Sequence, residues 1–286
     1  MKKLKLSSYA KINLGLWVIN KRKDGYHNIF SIIQAIDLAD QIQLEKIPAG
    51  IILKSDSPKV PRNARNLAFK AAKIFLAGTK VKSGVKIFIR KKIPIEAGLG
   101  GGSSNAAFVL KGLNRLFGTK ISTRKLSKWS EKIGSDVPFF FSSGTAFVRG
   151  RGEKVKSVAL PLDYWIILVK PPFSVSSRWA YSNFKFDLTK TTVLRNFSSQ
   201  RNPNNFGEML NLCKNDLETT VSKKFPIIKQ IKKQMLKHGA MLSAMSGSGP
   251  VVFGIFKDKL QAREVMKKFK KRQYAVFIAR PVNWPR

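Results

Sequence analysis

The chain has 286 residues, 43% of them hydrophobic, which supports one large core or two modest ones, and two domains are expected. Its 54 Lys and Arg against 16 Asp and Glu give a formal charge of +38, spread along the chain in groups such as Lys21-Arg22-Lys23 and Lys267-Lys268, so it reads as a solvated basic surface with no specific nucleic-acid arm. The single cysteine, Cys213, excludes an intramolecular disulfide framework and a cysteine-cluster metal site, and the absence of any run of about 20 apolar residues points to a cytoplasmic protein without a membrane partner.

Residues 9 to 19 alternate, with Ala10, Ile12, Leu14, Leu16 and Val18 on one face and Lys11, Asn13 and Gly15 on the other, which predicts a strand with one buried face. Lys11 and Asn13 then stand roughly 6 to 7 Å apart on the same side, within reach of one small ligand. An isolated Lys on a strand is otherwise a solvated edge residue. Lys21-Arg22-Lys23-Asp24-Gly25-Tyr26-His27 is a turn, signalled by Asp24-Gly25, that delivers an aromatic ring and an imidazole beside the strand end. Strands follow over 29–36 and 41–45, then a helix over 66–76 and a strand over 85–89.

The next stretch is Pro94-Ile95-Glu96-Ala97-Gly98-Leu99-Gly100-Gly101-Gly102-Ser103-Ser104-Asn105-Ala106-Ala107. It joins the 85–89 strand to a periodic helix over 104–117, whose apolar stripe includes Ala106, Val109, Leu110, Leu113, Leu116 and Phe117 and whose C-cap is Gly118. Glycines at a helix N-terminus let backbone N–H groups approach a ligand, and the helix end adds orphan donors and partial positive charge, which together make a phosphate cradle. The plain alternative is a strand-to-helix turn capped by Ser103 or Ser104. A Walker A loop needs Lys after its last Gly, and a dinucleotide fingerprint needs Gly-x-Gly-x-x-Gly; neither pattern is met here.

Ser122-Thr123 offers an N-cap for a helix with Leu126, Trp129 and Ile133 facing inward. It ends at Gly134-Ser135-Asp136-Val137-Pro138, where Asp136 is either a turn-capping carboxylate or a base. A strand over 145–148 precedes a polar stretch, 150–163, read as a domain boundary. Beyond it the order strand (164–169), helix (226–237), strand (240–245), strand (251–256), helix (260–270), strand (274–279) is β-α-β-β-α-β, the ferredoxin-like arrangement. An insertion over 173–210 interrupts it, and Ser246-Gly247-Ser248-Gly249-Pro250 is a second small-residue loop, either an ordinary hairpin or a cover for a phosphate.

The Pro-x-x-x-Gly-Leu-Gly-Gly-Gly-Ser-Ser loop resembles the phosphate loop of the superfamily of galactokinase, homoserine kinase, mevalonate kinase and phosphomevalonate kinase, the GHMP kinases. Ala10-Lys11-Ile12-Asn13-Leu14, Asp24-Gly25-Tyr26-His27, Gly134 to Pro138, Asn215-Asp216-Leu217-Glu218 and Ser246 to Gly249 extend the resemblance over essentially the whole chain, and specifically to members that phosphorylate a cytidylyl-capped methylerythritol. The resemblance implies an α+β fold of two domains, an N-terminal ribosomal-protein-S5-like α+β domain over 1–155 with the phosphate loop and catalytic pair, and a C-terminal ferredoxin-like domain over 156–286. It implies that ATP with Mg2+ binds along Pro94 to Ser104, with Lys91 and Asn66 at the adenine pocket. Asp136 becomes the general base and Lys11 its charged partner. Tyr26 and Tyr181 become the two faces of a clamp on cytosine, His27 reads the base edge, and Asn13, Ser177 and Gly247 hold the substrate. Asn105 stands where many members have Asp, so no metal ligand is assigned. A monomer or homodimer is expected. The rival readings are another small-molecule kinase of the superfamily, which leaves the Tyr26-His27 turn without a base to stack on, and an RNA-binding protein, which leaves the glycine loop, Lys11 and Asp136 without a role.

Overall fold

A computed structural model describes residues 2–186, 206–270 and 272–284. Strands β1 (Lys3–Lys21) and β2 (His27–Ile47) pair antiparallel across the turn expected at Asp24-Gly25. β2 also pairs with β4 (Gly84–Arg90) and β5 (Thr145–Gly150), while β3 (Ile51–Ser55) adds in parallel to β4 and β6 (Lys154–Ser157) to β5. The two strands expected over 29–36 and 41–45 are thus one, and the register shift at Tyr9/Ala10 marks where the long ribbon bends. Gly150 to Glu153, read from sequence as part of a boundary, turns the chain from β5 into β6 within the same sheet.

Helices α1 (Leu67–Ala77), α2 (Gly101–Phe117) and α3 (Thr123–Ser130) complete this part, with α1 beside α2 and α2 lying on β1 and β2. The expected caps hold at Gly118 and Ser122, and Asn66, expected as the first residue of its helix, is the N-cap of α1. At Gly112 the helix comes so close to the sheet that an added Cβ would stand 2.5 Å from Leu6 and Leu44 side chains. A 3-10 turn, Pro138–Phe141, follows Asp136.

The second sheet has the order β10-β7-β9-β8, built from β7 (Trp165–Lys170), β8 (Leu242–Met245), β9 (Val252–Phe256) and β10 (Ala275–Ala279). In chain order its strands are arranged 4-1-3-2, the ferredoxin-like topology expected. Helix α4 (Ser177–Ser182) lies in the expected insertion, α5 (Phe206–Leu212) begins at its end, α6 (Asp216–Lys224) follows it, and α7 (Ile227–Lys237) and α8 (Lys259–Lys270) pack on the sheet.

β1 corrects the expectation of a strand with one buried face. Ala10, Ile12 and Leu14 pack with Ile166, Leu168, Phe253 and Ile255 of the second sheet, joining the two parts through one apolar core. Each such side chain removed from water contributes roughly 1.5 to 3 kcal/mol. The opposite face is buried as well, with Lys11 and Asn13 each 3% exposed. A lysine on that face needs compensating partners.

Candidate active site

The glycine loop curls through three positive φ values, 51° at Glu96, 75° at Gly98 and 67° at Gly100. A Cβ at Gly98 would collide with the Ser246 carbonyl oxygen, and one at Gly100 would stand 2.9 Å from the Lys11 side chain, so both positions require glycine for conformation and for space. Gly100 is the N-cap of α2, no side chain caps the helix, and its first turn holds no acidic residue. The plain alternative, a turn capped by Ser103 or Ser104, is therefore not what forms. Ser104 is buried and shares a 2.7 Å hydrogen bond with Ser8, whose hydroxyl donates to Asn105 Oδ1 at 2.8 Å. The open helix end offers unpaired backbone N–H donors and partial positive charge, with Gly102 exposed at its mouth.

Asp40 carries the loop's approach. It is fully buried, accepts from Lys92 N–H at 2.8 Å and Ile93 N–H at 2.9 Å, and pairs with the Lys91 ammonium. Lys91 Nζ also stands 3.3 Å from where a Gly101 Cβ would lie. Asn66 caps α1 by accepting from Ala68 N–H, and the neighbouring Leu67 lies 3.8 Å from the corresponding position at Gly102. Of the two residues expected at a nucleotide pocket, Lys91 borders the loop directly and Asn66 only through its neighbour Leu67.

Lys11 ties the pieces together. Its ammonium donates to Asn13 Oδ1 at 2.6 Å and to Gly98 O at 3.0 Å, and stands 3.6 Å from Asp136 Oδ2. Burial pulls its pKa below the ordinary lysine value, opposed by the charge and hydrogen bond of Asp136. Asn13 donates from Nδ2 to Ser31 Oγ at 2.8 Å, and its backbone N–H reaches Ser246 Oγ, which donates to Gly98 O at 2.9 Å. A Cβ on Gly247 would come within 3.4 Å of Asn13 Oδ1, Gly98 O and Lys11 Nζ, so the second small-residue loop faces the first. Asp136, unlike Lys11, is partly open to solvent, its side chain 39% exposed.

The Asn215-Asp216-Leu217-Glu218 motif holds that second loop. Asn215 Nδ2 donates to Met245 O and Gly247 O, both at 2.7 Å, Glu218 accepts from Met245 N–H, and Asp216 accepts from Val18 N–H of β1. Ser177 shares a 2.8 Å hydrogen bond with Ser248, docking α4 on the same loop.

The aromatic residues of the turn and of α4 have different surroundings. Tyr181 stacks on His27, ring centroids 5.3 Å apart, with Phe186 on the same imidazole at 5.7 Å. Tyr26 is 55% exposed, and the Arg151 guanidinium lies 5.1 Å from its ring centre. Successive residues of an extended chain point to opposite sides, so buried His27 meets α4 while Tyr26 faces outward. Burial, and next the Asp136 charge, raise the Tyr181 pKa and keep its hydroxyl protonated. Burial, then Lys21, lower that of His27. Sequence reasoning missed Asp40, Ser8, Ser31 and Arg151; it also missed that Gly152 packs against Asp136, an added Cβ standing 3.3 Å from Oδ1.

Among the described residues no group of three His, Cys, Asp or Glu is arranged to hold a metal ion, and no helix is long and apolar enough to cross a membrane.

The model of the GHMP kinases N terminal domain matches residues 66–144, and that of the GHMP kinases C terminal matches 194–275. The chain is 44% identical over 282 residues to the 4-diphosphocytidyl-2-C-methyl-D-erythritol kinase of Clostridium botulinum (strain Eklund 17B / Type B), covering 98% of this chain and 100% of the relative. It is 40% identical to the protein of the same name from Acetivibrio thermocellus, covering 99% and 100%. A crystal structure of 4-(cytidine 5'-diphospho)-2C-methyl-D-erythritol kinase superposes with a TM-score of 0.78 at 30% identity over 98% of this chain and 99% of that one. A homoserine kinase from Cytophaga hutchinsonii shares the fold at a TM-score of 0.78 and 18% identity, over 99% and 96%.

Proposed function

The chain belongs to the GHMP kinase family, and from that premise we propose that it transfers the γ-phosphoryl group of ATP to the 2-hydroxyl of 4-diphosphocytidyl-2-C-methyl-D-erythritol, giving the 2-phosphate and ADP in the non-mevalonate route to isopentenyl diphosphate. The observation that carries the reading of the site is the Lys11–Asp136 pair beside the open end of α2. The reading is supported by the closeness of a carboxylate, a buried ammonium and an uncapped helix N-terminus.

Each residue then has a task. Asp136 takes the proton of the 2-hydroxyl as its oxygen attacks phosphorus, and the Lys11 ammonium, held by Asn13 and Gly98, stabilises negative charge on that oxygen. The loop from Pro94 to Ser104 receives the triphosphate on backbone N–H groups, with Lys91 and Asn66 bordering the nucleotide. Phosphoryl transfer asks for positioning and charge neutralisation more than covalent help, which suits a site built of backbone and one buried cation. Mg2+ supplies further neutralisation when it arrives with the phosphates, a mode that needs only one or two protein oxygens. The side chains of Ser104 and Asn105 are already engaged by Ser8.

The cytidylyl end goes to the Tyr26-His27 turn, with Tyr181 from α4 opposite, while Asn13, Ser177 and Gly247 lie toward the methylerythritol. Neutral His27 offers one donor and one acceptor to the base edge. The division between the two domains, expected at 155/156, is better set after β6, before β7 begins at Trp165, with the two small-residue loops facing each other. We place the enzyme in the cytoplasm as a monomer or homodimer. A coupled ADP-release assay with Asp136→Asn tests the assignment: turnover close to that of the parent would remove Asp136 as the base.

A further inference from the structure

Beyond β10 the chain crosses back to the first sheet. Pro281 bridges to Ile36, Val282 N–H donates to Ala35 O at 3.0 Å, and Trp284 N–H donates to Ser143 O at 3.2 Å. There the Trp284 ring covers the Lys111 ammonium, 5.4 Å from ring centre to Nζ, while Phe108 and Phe141 face the same ammonium at 5.1 and 5.2 Å. Among the described residues no carboxylate lies within ion-pair distance of Lys111. Three ring faces stand in for one, each attracting the cation through its quadrupole. The amine is largely desolvated, which pushes its pKa down to about 8.

The three rings come from three different elements. Lys111 and Phe108 belong to α2, the helix whose N-terminus is the glycine loop. Phe141 ends the 3-10 turn that begins just after Asp136, and Trp284 Nε1 donates to Ser142 O, the next carbonyl, at 2.5 Å. Near its N-terminus α2 is already pinned by the Ser8 contacts to Ser104 and Asn105. Along its length α2 also rests on α1, β1 and β2, and what Trp284 adds is a tie between the helix and the carbonyl that follows the Pro138–Phe141 turn.

We propose that Trp284 and Lys111 weld α2 to the Pro138–Phe141 turn and so set the placement of the glycine loop relative to Asp136. Both are positioning residues, and the proposal rests on the reading of the loop as the ATP cradle and of Asp136 as the base. In-line transfer is sensitive to this placement, since a displacement of about 1 Å can cost roughly 10²-fold in rate.

The test is the steady-state kinetics of Trp284→Ala, Trp284→Phe and Lys111→Met, measured well below the melting temperature of each variant. Trp284→Ala is expected to raise KM for ATP about three- to tenfold, a fraction of one desolvated cation–π contact, and to lower kcat by a similar factor. KM for the cytidylyl alcohol should stay the same. Trp284→Phe, which keeps a ring over the ammonium, should restore most of the loss, and Trp284→Ala combined with Lys111→Met should be little worse than either alone. If Trp284→Ala fails to fold, Lys111→Met carries the same expectation. A folded variant with parental KM and kcat and only a lower melting temperature would overturn the proposal. Gly102→Val run in parallel separates the two claims: lost ATP binding there with normal Trp284→Ala kinetics sinks the weld alone, whereas retained ATP affinity in Gly102→Val sinks the reading of the loop on which it rests.

Discussion

Lys11 Nζ stands 3.6 Å from Asp136 Oδ2 and, through 3.0 and 2.6 Å hydrogen bonds, also holds the Gly98 carbonyl and Asn13. One buried cation thereby links β1, the glycine loop and the turn that carries the carboxylate. Two charges this close act as a unit. Asp136→Asn is expected to lower kcat by about 10²-fold or more with KM for ATP nearly unchanged, and Lys11→Met to be similarly slow. The double variant should be little worse than either single, and kcat losses that multiply would show that the two act separately.

The cradle is tested most cleanly at Gly102. A Cβ there meets only Leu67, at 3.8 Å, whereas one at Gly101 would press on Ile93 at 3.0 Å. Gly102→Val should therefore keep the fold and still fill the space over the helix end. Titration calorimetry is expected to show ATP affinity weakened by tenfold or more, about 1.4 kcal/mol. Unchanged affinity in the folded variant would place the nucleotide elsewhere.

Alternation along β1 made Lys11 and Asn13 neighbours in sequence alone, and the unusual glycine run announced a helix end open to anions. The partners that make those residues work were not legible. Asp40 and Ser8 are single polar residues within strand patterns, and only the pairing of β1 with β2 and the packing of α2 on both give them a role. Burial of Lys11 was hidden for the same reason: that face of β1 is covered by elements from distant parts of the chain. That α4 meets β2 at His27, bringing Tyr181 onto the imidazole, is a contact that no local pattern encodes.

Stacking gives the next expectation. Tyr26→Ala and Tyr181→Ala should each raise KM for the cytidylyl substrate by roughly 5- to 150-fold, the range of about 1 to 3 kcal/mol per stacked base, with KM for ATP unmoved. Tyr26→Phe should be mild because the ring does the stacking. If only Tyr181→Ala raised KM, the base would be held on the His27 side and Tyr26 would be a surface residue partnered by Arg151.

Two pH effects follow from burial. His27 has its pKa lowered from 6.5 by burial and then by Lys21, so its neutral form predominates at pH 7. KM for the cytidylyl substrate should rise on the acid side with a midpoint below pH 6.5, and a midpoint above that would contradict a neutral His27 in recognition. Lys11 has its pKa lowered from 10.5, so its ammonium is lost on the alkaline side before an exposed lysine's would be. The alkaline fall in kcat should move to higher pH in Lys11→Arg, whose guanidinium does not titrate there.

The central claim is that this chain phosphorylates a cytidylyl-capped methylerythritol, and ADP release with matched acceptors tests it most directly. The purified protein would be supplied with MgATP and, in separate reactions, 4-diphosphocytidyl-2-C-methyl-D-erythritol, free methylerythritol, mevalonate and homoserine. The expected result is turnover with the cytidylyl compound at a kcat/KM at least about 10²-fold above every other acceptor, since the others lack the base that the Tyr26-His27 turn stacks and reads. Comparable or faster phosphorylation of mevalonate, homoserine or the uncapped alcohol would contradict it.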